Sequence, residues 1–147
     1  MLITLCIQFI IALIATSAFA VLFNVPKEQW FFAGLTGGIG WVFYKFFILS
    51  LGTALATFVA VLVLTLLSRI FAVIRKAPVT VFLISGIFPL VPGMGIYYTS
   101  YYLIMEDASL FGYYGVETLK SAFAIALGIM FILSIPQKCF GILQKKH

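Results

Sequence analysis

The sequence predicts an all-α integral membrane bundle of five transmembrane helices. Of its 147 residues, 64% are hydrophobic and only 9% are charged, whereas a soluble domain carries roughly 25% charged residues. Solid apolar runs of about 20 residues, the length that crosses a hydrocarbon core of about 30 Å, recur between short polar breaks. They are continuous rather than alternating in segments of about 10 residues, which excludes a membrane barrel. A water-facing globule cannot be built from this composition, so lipid is the solvent, and the length fits one transmembrane domain over 1–147.

The first span is read as 2–23. It has no basic flank, and it exceeds the roughly 7–15 apolar residues of a signal peptide. It is therefore expected to be retained, although the small residues Ala15, Ser17, Ala18 and Ala20 would suit a cleavage site. Asn24 to Gln29 form a polar break, in which Pro26 suits a first helical turn and Glu28 suits the positive end of a helix. Between Trp30 and Ile74 the only charges are Lys45 and Arg69. A helix of that length would run for about 67 Å, enough for two crossings. A turn near Ser50–Thr53 divides it into spans 30–49 and 52–74. The fourth span is 79–105, a loop rich in Tyr and Gly is expected over Glu106–Gly115, and the fifth span is 116–135. A short basic tail ends the chain.

The net charge of +5 is explained by orientation rather than by nucleic acid, because the basic residues sit between apolar spans. Lys27, Arg69, Arg75, Lys76, Lys138, Lys145 and Lys146 fall on one side; the other side holds only Lys45 and Lys120. The positive-inside rule then puts the N-terminus out and the C-terminus in. Tyr97, Tyr98, Tyr101, Tyr102, Tyr113 and Tyr114 fall at the outer interface, and Trp30 near the inner one. The same topology separates Cys6 from Cys139, so no disulfide is expected between them.

The segment richest in information is Pro89-Leu90-Val91-Pro92-Gly93-Met94-Gly95, in the middle of the fourth span. Each proline removes a backbone donor and crowds the preceding turn, and a break at that depth survives only inside protein or beside a watery cavity. Broken helices at mid-depth build substrate sites in transporters; a packed kink without ligand is the equally weighted alternative. Gly34 and Gly38, with Gly37 beside them, make a small-residue stripe that suits close helix packing more readily than a glycine-lined path. Asn24 and Pro26 read as a turn, or more sharply as a hinge or gate. Lys45 and Lys120 are interfacial, and Glu117 can pair with Lys120 across one helical turn. Hydroxyls within the spans are expected to bond back to their own helices.

No serine–histidine–carboxylate set can be assembled, since His147 is terminal, and no zinc-ligand set or nucleotide-binding glycine fingerprint is present. Neither enzymatic chemistry nor any metal or other cofactor is expected.

Phe23-Asn24-Val25-Pro26 after the first span, the glycine-rich second span, and Phe88-Pro89-Leu90-Val91-Pro92-Gly93 in the fourth together resemble the threonine/serine exporter family. The likeness is to its small five-helix membrane half, the YjjB-type subunit, and covers roughly 19–136. The resemblance implies a transporter made of two five-helix halves, of which the other carries a soluble N-terminal region. This chain would then need that partner, within the bilayer of a bacterial plasma (inner) membrane. It implies export of a small-molecule substrate, threonine or serine, with dicarboxylates such as succinate as the alternative; the scarcity of basic residues at depth weighs against a dianion. Pro89, Pro92, Gly93 and Gly95, with Gly34, Gly37 and Gly38, would line the substrate path. A non-transporting scaffold subunit and a homo-oligomeric channel are the competing readings.

Overall fold

The computed structural model of the protein describes residues 2–136. The expected basic tail, with Lys138, Lys145, Lys146 and Cys139, lies outside the described residues. The elements are α1 (Leu2–Leu22), a 3-10 turn (Lys27–Gln29), α2 (Trp30–Arg75), α3 (Val79–Ile87), a second 3-10 turn (Phe88–Leu90), α4 (Gly93–Ile104) and α5 (Ala108–Leu133). Among the described residues, three helices are long and apolar enough to cross a membrane, and the bent pair Val79–Leu90 and Gly93–Ile104 makes up to a fourth.

The 46 residues of α2 would span about 69 Å if straight. They do not run straight. Arg75 Nε donates to Gln29 Oε1 over 3.0 Å, Phe32 packs on Phe71 at 5.3 Å between ring centroids, and Gly40 abuts Leu64. These pairs share a midpoint at Gly52, whose φ of 74° and ψ of 174° interrupt the helix. Residues 30–51 and 53–75 are therefore an antiparallel hairpin folded about one glycine. Ser50 and Leu51 stay helical, so the reversal is tighter than a four-residue turn.

Three other helix ends are set by residues in the left-handed region: Asn24 (φ 54°), Lys76 (φ 51°) and Glu106 (φ 59°). After α1 the amide of Val25 reaches Ala20 O and that of Asn24 reaches Val21 O, each over 3.0 Å. Asp107 and Glu106 repeat the arrangement on Tyr102 O and Leu103 O after α4. Terminal carbonyls are thus satisfied without water.

Side-chain pairing fixes the directions of the rest. Trp41 Nε1 donates to Gln8 Oε1 over 2.7 Å and Ser17 Oγ to Trp30 O over 3.3 Å, so α1 is antiparallel to 30–51. Phe71 meets Phe82, so α3 runs against 53–75. Gly128 touches Val61 and Arg69 reaches Ile135, so α5 runs alongside 53–75 in the same direction. α4 opposes α5 through Gly95 on Thr118 and Thr99 on Gly115. Directions therefore alternate along the chain.

Large apolar side chains point outward: Ile7, Ile10, Ile14, Phe46, Leu55, Phe123, Leu127 and Met130 are all exposed. Much of the buried set is small or hydroxylated, including Ala33, Ala56, Ala60, Thr16, Thr36, Thr57, Ser68 and Ser85, around a few large side chains such as Phe82 and Leu64. This partition is that of a membrane protein, in which helices associate by close packing rather than by hiding apolar surface from water.

The loop expected over Glu106–Gly115 is a correction. It is confined to 105–107, because Asp107 caps α5 by accepting from the Leu110 amide over 3.0 Å. The tyrosines beyond it are helical and form a ladder with α4, with Tyr98 and Tyr102 stacked on Tyr114 at 4.9 and 5.5 Å.

The torsions at Gly52 lie in a region that only glycine enters without strain, and nothing lies within 4 Å of the site of a Cβ there. Gly52→Val is therefore expected to destabilise the purified chain by about 1–3 kcal/mol, through the backbone alone. Gly112→Ala, also in open space but mid-helix, should leave stability unchanged or raise it by up to about 1 kcal/mol. Thermal unfolding in detergent compares the two.

Candidate functional site

The helical run through α3 fails where its prolines fall. Without N–H groups, Pro89 and Pro92 cannot donate to the carbonyls four residues back. Phe88–Leu90 tighten into a 3-10 turn and Val91 becomes extended (φ −62°, ψ 131°). The Gly93 amide turns back onto Val91 O over 2.8 Å, and the first bond of α4 is Ile96 N to Pro92 O at 3.0 Å. The axis bends by 51°. Met94 and Gly95 lie in the first turn of α4, where amides have no carbonyl of their own helix to meet, and no side chain caps that end.

This break forms one wall of a cavity of about 410 Å³. Pro89 through Gly95 line it on one side, Trp41 and Tyr44 of α2 on another, and Thr53 and Thr57 come from beyond the Gly52 reversal. α5 supplies Tyr113, Tyr114, Glu117, Thr118 and Ser121. Gly95 allows this assembly, since a Cβ there would overlap Thr118 Oγ1. Glu117 pairs with Lys120 Nζ at 2.8 Å, with the two side chains 37% and 56% exposed.

The α5 wall is held from the far end of the hairpin. Arg69, buried on α2, donates through its guanidinium to Ile132 O and to Ile135 O, the latter over 2.7 Å. A cation on the carbonyl end of a helix is favoured by the helix dipole as well as by the hydrogen bonds.

Of the sequence-predicted site residues, Pro89, Pro92, Gly93 and Gly95 come together on the cavity. Gly34, Gly37 and Gly38 face α1 instead, against Ser17, Thr16 and Phe9. Asn24 and Pro26 line a separate hollow of about 270 Å³ against Thr80, Val81, Ile84 and Ser85. Sequence reasoning misses Trp41, Tyr44, Thr53, Thr57, Thr118 and Ser121 as cavity residues, takes Glu117 only as an ion-pair partner, and counts Arg69 only among the basic residues of one membrane side. The spacing of Trp41 with Tyr44, Thr53 with Thr57 and Glu117 with Ser121, three or four residues apart, marks shared helix faces. That signal was available.

The described residues make an all-helical membrane protein with a hollow at a helix break. The family described as "Threonine/Serine exporter, ThrE" matches residues 8–135, and the chain belongs to that family. A relative from Corynebacterium glutamicum, named "Threonine/serine exporter", is 29% identical over 118 residues, which are 80% of this chain and 24% of the relative. The chain thus spans about a quarter of that relative's length. No solved structure matches it.

Because Arg69 engages the α5 carbonyls at an end that lipid cannot solvate, Arg69→Met is expected to lower stability by about 2–4 kcal/mol. Arg69→Lys, which lacks the fork that reaches two carbonyls, should recover only part of it. Unfolding of the purified variants in detergent checks the order.

Proposed function

We propose that this chain is one half of a two-component secondary exporter that moves small hydrophilic metabolites, threonine and serine foremost, out across a bacterial plasma membrane. The observation that carries the reading is the cavity at the break. Its volume of about 410 Å³ falls in the range of small-molecule sites. Family membership, and the name of a relative of which this chain covers only 24%, support an assembly with more membrane helices than this chain supplies.

In this reading the chain crosses the membrane five times, counting the two arms of the hairpin about Gly52 separately and the bent α3–α4 pair as one. The end that gathers Lys27, Arg75 and Lys76 is cytoplasmic, and the end with Glu106 and Asp107 faces out. A second five-helix subunit with a soluble N-terminal region covers the open side of the cavity. Pro89, Pro92, Gly93 and Gly95 shape the substrate site. The Gly34, Gly37 and Gly38 stripe keeps α1 and α2 together as the rigid body that rocks against the partner, and the Asn24–Pro26 turn is the hinge beside it. Alternating access follows from that rocking about a fixed site.

The double substitution Pro92→Ala/Gly93→Ala lets the helix run on through the break. With both halves co-expressed, it should abolish threonine efflux while the amount of chain in the membrane stays at the wild-type level. Wild-type efflux from that variant would remove the cavity from the transport path.

A further inference from the structure

Three hydroxyls on the helical walls of the cavity have their protons already committed. Thr57 Oγ1 donates to Thr53 O over 2.8 Å, Thr118 Oγ1 to Tyr114 O over 2.7 Å, and Ser121 Oγ to Glu117 O over 3.1 Å. Each hydroxyl proton is committed to its own helix, so each oxygen is left with lone pairs to offer. Trp41 has its only donor on Gln8. Glu117, the one carboxylate on the lining, is acceptor-only when ionised. Its bond to Lys120 engages Oε1, and a carboxylate has room for about four such bonds. These positions therefore offer acceptors beside aromatic faces, with the Glu117 carboxylate paired to Lys120. This set of acceptors is the complement of a compact cation with several N–H donors.

We propose that Glu117 is the ammonium-binding residue of this cavity, taking the α-ammonium group of an amino-acid zwitterion with help from the Thr57, Thr118 and Ser121 oxygens. The Trp41 ring already carries a cation, with Lys45 Nζ 5.1 Å from its centroid, and the Tyr44 ring adds a π-face of the same kind. Lys120 pairs with the carboxylate when the site is empty and stays at its outer edge when the site is filled. The assignment rests on the exporter reading above and deepens it by naming the group that selects a solute with an ammonium.

The test uses both halves reconstituted together in vesicles, with L-threonine as the transported solute and KM as the readout. Glu117→Gln keeps shape and removes charge; it should raise KM for threonine by about tenfold or more, the loss typical of a charge-assisted hydrogen bond, and Glu117→Asp should recover much of it. In the wild type, threonine methyl ester, which keeps the ammonium group, should compete, and N-acetylthreonine, which lacks it, should not. A KM for Glu117→Gln within twofold of wild type, in a complex whose flux is still lost in Pro92→Ala/Gly93→Ala, overturns this assignment alone. No threonine flux from the wild-type complex overturns the exporter reading and the assignment together. The same oxygens could hold an alkali cation, so the comparison is repeated with sodium replaced by potassium. An effect of Glu117→Gln that vanishes without sodium overturns the ammonium assignment, and one that persists supports it.

Discussion

Backbone amides and carbonyls at membrane depth must find partners within the protein or face water that the protein encloses, and the whole arrangement follows from that constraint. α1 and α4 end in left-handed caps at Asn24 and Glu106 that return amides to the terminal carbonyls. α5 ends on the Arg69 guanidinium. The interruption between α3 and α4 has neither device. Its prolines supply no donors, its glycines supply no side chains, and no cap closes the first turn of α4. That interruption is also where the cavity lies.

The rest of the bundle is packed tightly enough to keep that hollow in place. Where α1 meets α2, a Cβ at Gly37 would collide with Thr16, and the hairpin arms close on Leu64 and Phe71. In lipid such contacts act through van der Waals packing, which falls off steeply with distance, so small residues carry the association. α4 stands apart from this pattern. None of its residues is buried, and its neighbours are the tyrosines and Thr118 of α5. It is the element least embedded among the described residues.

Much of this was legible in the sequence, for identifiable reasons. Apolar run length gave the helices, because a hydrocarbon slab sets a minimum length. Proline and glycine gave the break at 89–95, because they act on their own backbone whatever surrounds them. The reversal inside the long apolar run was placed near Gly52, although its tightness was not foreseen. The start of α5 was misplaced because tyrosine and glycine read as loop, whereas a single aspartate cap and stacking against α4 made the segment helical. The sequence places Arg69 only on the basic side of the topology, since position alone does not show that a helix end lies against it. The cavity walls from α2 and α5 depended on which faces meet across the bundle, and apolar periodicity carries no such information when every face is apolar.

The central claim is that the break faces an aqueous, protein-lined space. Single cysteines at Val91 and Met94, both on the cavity, and at Phe123, on the outer face of α5, test it in a chain with Cys6 and Cys139 replaced by serine. The reagent is a membrane-impermeant cationic thiosulfonate applied to the protein in vesicles. The account predicts ready labelling at 91 and 94, slowed by millimolar threonine when the partner half is present, and none at 123. Cysteines at 91 and 94 as inert as the one at 123 would contradict it.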